Sequence, residues 1–150
     1  MATQRISALV LGGCLLASTA QAGDMCLDAT GGLQPSLDRP IIVGRGFKFP
    51  KKNKCKPFIG VIVASSPSHA SVVTGSACAR FDGTSVTFML TAAIPTDNSM
   101  EPSTVRNYVA AITPSGPSEG TGRLSILRVT GFGNTSVEAF ECSNAFPDNL

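Results

Sequence analysis

Short runs of β-branched and aromatic residues, separated by glycine, proline and aspartate, constrain the fold of this chain more than any other feature. The longest run covers residues 57–64 and reads PFIGVIVA. A continuous apolar run of this length is typical of a strand covered on both faces, so it predicts the central strand of a sheet. Shorter runs at 41–43 and 47–49 precede it. The chain is therefore predicted to be mainly β.

Two pairs of β-forming runs are joined by sequences that favour tight turns. Residues 72–81 and 84–93 flank an Asp-Gly dipeptide at 82–83, which tolerates the positive φ angles of a hairpin turn. Residues 123–130 and 136–142 are joined by the glycine-rich sequence GFGN. A β-hairpin is predicted at each of these positions.

The segment 103–112 supports two interpretations. Its apolar residues recur at helical spacing, and a serine and a threonine at its start could cap a helix. We favour a short helix, which after the strands from Phe58 onward gives the element order of an OB-type barrel. A strand at this position would favour a Greek-key sandwich instead. Either fold would contain about six to eight antiparallel strands.

The N-terminus has the pattern of a cleavable signal peptide. Arg5 precedes an uncharged, mostly apolar stretch at 6–17, and the small residues ending at Ala22 suit signal peptidase. The apolar stretch is shorter than the roughly 20 residues that a membrane helix needs. A lipoprotein signal ending at Cys14 is the alternative, although the chain stays apolar after it. We predict a signal peptide over residues 1–22, export to the periplasm or beyond the cell, and a single domain over residues 23–150.

The predicted domain contains Cys26, Cys55, Cys78 and Cys142. An even number of cysteines in an exported chain predicts disulfides, since unpaired thiols react in an oxidising compartment. Sequence leaves the pairing open, and we favour Cys26 with Cys55 and Cys78 with Cys142. Each bridge would contribute roughly 3 to 4 kcal/mol. Because these cysteines are isolated rather than arranged in Cys-x-x-Cys pairs, no zinc site is predicted.

The segment 45–58 is strongly basic and contains no acidic residue. Its basic residues are Arg45, Lys48, Lys51, Lys52, Lys54 and Lys56. Clustered ammonium groups attract phosphate, sulfate or carboxylate groups, so an anion-binding surface is predicted here. Phe47, Phe49 and Phe58 could add apolar or stacking contacts. The alternative is a solvated connection whose lysines discourage aggregation and whose Phe47 and Phe49 face the core.

Few residues could support catalysis. His69 is the only histidine, so a histidine-based hydrolase would use it as general base, with Asp82 or Glu119 as the orienting acid. No known nucleophile motif accompanies it. Glu138 and Glu141 lie three apart on a predicted strand, where side chains alternate between faces, so they form a poor acid–base pair.

Motifs for cofactors are not found in the sequence. No phosphate-binding glycine loop or dinucleotide motif follows a β-forming run, and residues 97–101 lack the spacing of a calcium loop, so no cofactor or metal is predicted. The predicted function is an exported, non-enzymatic binding or envelope-associated module that contacts an anionic surface or partner, such as an envelope component or another protein, through residues 45–58. The alternatives are a protein-binding subunit or inhibitor acting through loops or sheet edges, and a small hydrolase using His69. Nucleic acid is not an expected partner of an exported chain.

Overall fold

Eight antiparallel strands form a closed barrel in the computed structural model of the protein, which describes residues 23–65, 68–94, 104–128 and 131–142. The strands are β1 (Met25–Asp28), β2 (Ile41–Gly44), β3 (Cys55–Ser65), β4 (Ser68–Ala79), β5 (Val86–Ile94), β6 (Thr104–Pro114), β7 (Gly120–Arg128) and β8 (Gly131–Glu141). Each strand pairs with the next one along the chain. Pairing of β8 with β1 closes the barrel. The predicted mainly β class is confirmed.

The strand order is a simple meander, and the described ranges contain no helix. The helix predicted over residues 103–112 is therefore wrong, because β6 occupies this part of the chain. Tyr108, Ala110 and Ile112 point into the core with the period of two that defines a strand. The prediction of a small antiparallel barrel with six to eight strands is confirmed. Its order is neither OB-like nor that of a Greek-key sandwich, since every consecutive pair of strands is hydrogen bonded.

Strand β3 contains the long apolar run, but only one of its faces is covered. Phe58 and Ile62 are buried, whereas Ile59, on the other face, is 70% exposed. The prediction of a central strand covered on both faces is wrong. In a barrel each strand has an inner and an outer face, so every second residue of the run points outward.

Both predicted hairpins are present, but the turn of the second was predicted at the wrong residues. In the β4–β5 turn, Gly83 has a φ of 74°, and the Asp82 carboxylate accepts hydrogen bonds from the amide of Thr84 at 2.9 Å and from its hydroxyl at 2.8 Å. In the β7–β8 hairpin, Arg128 pairs with Gly131, so the glycine-rich sequence lies inside β8 rather than in the turn.

The core fills the interior of the barrel, to which each strand contributes alternate residues. In β5, for example, Phe88 and Leu90 are buried and Met89 between them is exposed. The largest fully buried side chains are Tyr108, Phe58, Phe88, Met25, Leu27, Ile42, Leu90, Ile112, Leu124 and Ile126.

Two disulfides join Cys26 with Cys142 and Cys55 with Cys78. The presence of two bridges was predicted correctly, but the favoured pairing was wrong. Cys55 and Cys78 are direct partners in the β3–β4 register, and Cys142 follows β8 where that strand pairs with β1. Barrel closure thus brings together cysteines 116 residues apart. The bridges are compatible with an oxidising, extracytoplasmic location.

The connections divide between the two ends of the barrel. One end, called here the lysine end, carries the connections 45–54, 80–85 and 115–119. The connection 29–40 between β1 and β2 lies at the other end, called here the opposite end. Both disulfides lie near the lysine end, because Cys55, Cys78 and Cys142 adjoin the strand ends there.

Candidate functional site

The connection 45–54 crosses the lysine end and is fixed to the β6–β7 connection on the far side. The amide of Phe49 donates to the carbonyl oxygen of Pro117 at 2.8 Å. The hydroxyl of Ser118, a buried residue, donates to the carbonyl oxygen of Phe47 at 3.2 Å. The basic segment is therefore anchored at its middle as well as at its ends.

A second set of backbone hydrogen bonds fixes the segment to β4. The amide of Asn53 donates to the carbonyl oxygen of Arg80 at 3.2 Å, and the carbonyl oxygen of Lys54 accepts from the amide of Ala79 at 2.9 Å. Asn53 adopts a φ of 52°, a left-handed conformation that asparagine tolerates better than most residues. The adjoining bridge from Cys55 to Cys78 completes this attachment.

Phenylalanine rings close the core beneath the basic segment. The Phe47 ring packs against Phe58 at 5.0 Å and Phe88 at 5.8 Å between ring centroids, and Phe49 lies 6.0 Å from Phe88. Phe58 is fully buried, whereas Phe47 and Phe49 are partly buried against the core. The packing of Phe47 and Phe49 corresponds to the alternative given for them in the sequence analysis. The rings support the connection 45–54 from below, and Phe58 is not available to stack on a ligand.

The predicted anion-binding residues all lie at the lysine end, and all are exposed: Arg45, Lys48, Lys51, Lys52, Lys54 and Lys56. Lys56 donates from Nζ to the carbonyl oxygen of Lys48 at 3.2 Å, and its Nζ lies 5.9 Å from the centre of the Phe47 ring. The methylene stem of Lys52 packs over Gly83, where an added Cβ would lie 3.0 Å from it. The stems of these two lysines are thus partly ordered while both residues remain exposed.

The fold also brings residues to this end that the local sequence did not indicate. Arg80 joins the basic residues because its carbonyl oxygen binds Asn53, and only the pairing of Cys55 with Cys78 could have revealed this. The acidic residues Asp24, Asp82, Glu119 and Glu141 lie at the same end and reduce the net positive charge. The segment 45–58 itself contains no acidic residue, but the fold places acidic residues beside it.

Two of these carboxylates are engaged by backbone amides. Asp24 accepts from the amide of Gly46 at 3.1 Å. The amide and hydroxyl of Thr84 hold the pKa of Asp82 below its ordinary value. Within the described part of the chain, ion pairs join Arg80 with Asp82 and Arg106 with Asp38, and none involves a basic residue of segment 45–58.

The hydrolase residues do not meet in the described structure. The backbone of His69 lies near the opposite end, paired with Ala64, whereas Asp82 and Glu119 lie at the lysine end. About ten residues of β4 separate the two ends, or roughly 33 Å at the usual rise of a strand. Neither predicted acid is therefore placed to orient His69, whose side chain lies outside the described part.

The other residues considered in the sequence analysis, the glutamate pair and the oxygen-rich loop, do not form a further site among the described residues. Glu138 lies on the outer face between buried Val137 and Ala139, and Glu141 ends the same strand at the lysine end. The oxygen-rich residues 97–101 lie outside the described residues. Within the described ranges, no group of three or more histidine, cysteine or acidic side chains could hold a metal ion.

No protein family model and no curated protein sequence matches the chain. Across the described residues there is also no helix long and apolar enough to span a membrane. The surface at the lysine end is therefore interpreted from its own geometry and charge.

Proposed function

We propose that this protein is an exported, non-enzymatic binding module whose lysine end attaches to a polyanion of the cell envelope. The observation that carries the proposal is the rigid support of the basic segment. Hydrogen bonds fix the connection to the β6–β7 connection and to the end of β4, and its phenylalanine rings turn inward, so the six basic side chains of segment 45–58 are presented on the outside of one barrel end. A preorganised surface loses less conformational entropy on binding than a flexible one.

The chemistry of the surface favours a polymer with repeated charges over one small ligand. Lysines outnumber arginines in the segment, and an ammonium group attracts anions as a point charge without the bidentate geometry of a guanidinium group. Several exposed ammonium groups spread across one barrel end can contact successive phosphate, sulfate or carboxylate groups. Such attraction is strongly screened by salt.

The export of the protein is part of the proposal. The first 22 residues have the composition of a signal peptide, and the two disulfides suit an oxidising compartment. An exported protein meets anionic lipid headgroups and acidic polysaccharides rather than nucleic acid. Periplasm and cell exterior both offer such polymers.

The experiment is retention of the exported chain on a phosphate-bearing matrix, a sulfated polysaccharide matrix and a neutral matrix, as salt is raised. The variant K51Q/K52Q/K54Q/K56Q is run beside the wild type, and circular dichroism checks that both are folded. A plot of the logarithm of the binding constant against the logarithm of the salt concentration has a negative slope. If the variant loses four ion contacts, the magnitude of this slope should be smaller by about three units. Late elution of the wild type from one charged matrix identifies the preferred anion. Equal elution of wild type and variant from both charged matrices would refute the proposal.

A further inference from the structure

The β4–β5 turn at the lysine end carries an exposed phenylalanine. The amide of Gly83 donates to the carbonyl oxygen of Arg80 at 3.0 Å, which closes a four-residue turn. Phe81, the second residue of this turn, is 82% exposed, the largest exposed fraction among the described large apolar side chains. The rings of Phe47 and Phe49 at the same end pack against the core instead. Phe81 therefore adds nothing to the core and meets water at the end of the barrel.

The conformation of this turn is fixed by its own contacts. The amide and the hydroxyl of Thr84 donate to the carboxylate of Asp82 at 2.9 and 2.8 Å. Gly83 has a φ of 74°, in the left-handed region that glycine adopts without strain. The backbone of the turn thus holds Phe81 in its exposed position.

A second turn, at residues 51–54, lies beside this one. The amide of Asn53 donates to the carbonyl oxygen of Arg80 at 3.2 Å. The stem of Lys52 packs over Gly83. We call the turns at 51–54 and 80–83 the paired turns. Their basic side chains, all exposed and all close to Phe81 in the fold, are Arg80, Lys51, Lys52 and Lys54.

Most acidic residues of the lysine end lie away from the paired turns. Asp24 and Glu141 adjoin β1 and β8, which lie across the closed barrel from β4 and β5. Glu119 belongs to the β6–β7 connection. Asp82 does lie in the paired turns, but Nε of Arg80 is 4.0 Å from its carboxylate and offsets its charge. The paired turns therefore keep a net positive charge around an exposed aromatic ring.

We infer that the paired turns bind the surface of an anionic phospholipid bilayer, with the ring of Phe81 inserted at the level of the acyl chains. This inference rests on the proposed polyanion binding and specifies its partner. An acidic polysaccharide offers charges but no hydrocarbon, so it would leave Phe81 in water. A bilayer offers phosphate groups directly above hydrocarbon, and aromatic rings are favoured at this boundary.

The ring and the charges are both needed for such attachment. A single apolar group anchors a protein to a membrane only weakly, and stable attachment takes a second signal such as a basic patch. Basic residues near an anionic leaflet supply attraction that salt screens. Lysine suits this position because its methylene stem can lie along hydrocarbon while the ammonium group reaches the headgroups.

Attachment through the paired turns also fixes the orientation of the barrel. The lysine end faces the bilayer, and the connection 29–40 at the opposite end faces away from it. Leu33 in that connection is apolar and 61% exposed, but no cluster of basic residues like that of the paired turns surrounds it in the described structure. It should therefore stay in water.

The first experiment uses the absence of tryptophan from the sequence, which makes F81W the only indole in its chain. The variant is mixed with vesicles of phosphatidylglycerol and phosphatidylcholine, or of phosphatidylcholine alone. With the anionic vesicles its emission should shift to shorter wavelength and be quenched by lipids brominated on their acyl chains. The matched control L33W should show neither change. Unchanged emission of F81W when the protein is bound, or an equal response of L33W, would overturn the inference.

The second experiment measures binding of wild type and F81S to the same vesicles by co-sedimentation, with circular dichroism to check that both are folded. F81S should bind the anionic vesicles about tenfold more weakly, because a tenfold change is about 1.4 kcal/mol, close to the lower end for burial of a phenylalanine side chain. On the phosphate-bearing matrix, which has no hydrocarbon layer, F81S should elute with the wild type. Equal vesicle binding of the two proteins contradicts the role of Phe81, and so does an equal loss on the matrix.

The outcomes separate this inference from the proposed function. A wild type that a charged matrix retains through the lysines, but that does not bind the anionic vesicles, overturns the membrane inference and leaves polyanion binding intact. Binding to neutral vesicles as strong as to anionic ones also overturns the inference, since the charges would then have no part in it. A wild type that neither the charged matrices nor the vesicles retain refutes both proposals.

Discussion

The two ends of the barrel use charge in different ways. At the opposite end, Arg106 forms an ion pair with Asp38 at 3.0 Å, beside the hydroxyl of Tyr108, which donates to the carbonyl oxygen of Leu37 at 3.3 Å. Charge there serves to hold the connection 29–40 over the core. At the lysine end, disulfides and phenylalanine rings hold the structure, and the basic residues of the segment stay outside any described ion pair.

This difference shows which charges the fold requires. Removing Arg106 would disturb a contact that fixes a connection, whereas neutralising the exposed lysines would remove charge and little structure. Residues that the fold does not need for stability, but whose backbone is held firmly, are candidates for binding. The contrast between the two ends therefore supports a functional role for the lysines.

The largest effect expected at the lysine end comes from its disulfides. Replacing Cys26 and Cys142 with alanine should lower the free energy of unfolding by about 5 kcal/mol, and replacing Cys55 and Cys78 by about 3 kcal/mol, since the longer loop loses more entropy on closure. The bridged residues are 116 and 23 apart in sequence. Urea unfolding of both double variants measures the difference. The reverse order would show that loop closure is not the main contribution of these bridges.

Removing a phenylalanine ring from beneath the basic segment should destabilise the fold less than loss of the Cys26–Cys142 bridge, and about as much as loss of the Cys55–Cys78 bridge. Phe49→Ala should lower the free energy of unfolding by about 3 kcal/mol, the low end for a phenylalanine, because the ring is only partly buried. Leu33→Ala at the opposite end is the matched control, and since Leu33 is exposed it should cost under about 0.5 kcal/mol. Thermal and urea unfolding of the two variants measure the difference in their free energies of unfolding. Equal losses of unfolding free energy in the two variants would mean that Phe49 does not close the core.

The smallest effect is a pH dependence at the opposite end. Burial raises the pKa of Tyr108 to about 12, above the usual value of 10.0 that applies to the unfolded chain. The folded state thus keeps the proton longer, and this contribution to stability is full below pH 10 and is lost as pH rises through about 12. Phenolate absorbance follows Tyr108 alone, because it is the only tyrosine.

Tyr108→Phe separates this effect from the titration of lysines, which occurs in the same pH range. The wild type should lose more stability than the variant between pH 10 and about 12. Parallel losses, or a phenolate that forms with the ordinary pKa in the folded protein, would contradict the burial of the hydroxyl group.

Sequence predicts the local elements of this fold well because their signals are local. The Asp-Gly turn at 82–83 and the basic segment 45–58 can both be identified from adjacent residues. The helix prediction over residues 103–112 was wrong because its pattern does not distinguish the two structures. Tyr108 and Ile112 are four residues apart, and residues at this spacing share a face in a helix and also in a strand. Valine, tyrosine and isoleucine then favour the strand, and pairing with β5 and β7 decides it.

Features that depend on barrel closure could not be predicted. The pairing of Cys26 with Cys142 follows from the contact of β8 with β1, which no local pattern encodes. The exposure of Ile59 was missed because an apolar run has the same sequence pattern whether one or both faces of its strand are covered. Arg80 and Asp82 reach the lysine end only through the β3–β4 register.

The most direct test of the account is whether the position of the charge, and not its amount, determines polyanion retention. K51Q/K54Q removes two charges from the lysine end, and R39Q/R123Q removes two exposed charges from elsewhere on the barrel. Salt elution of both from the charged matrix that retains the wild type makes the comparison at equal net charge. We expect K51Q/K54Q to elute at clearly lower salt than R39Q/R123Q, which should elute close to the wild type. Coincident elution of the two variants would contradict it.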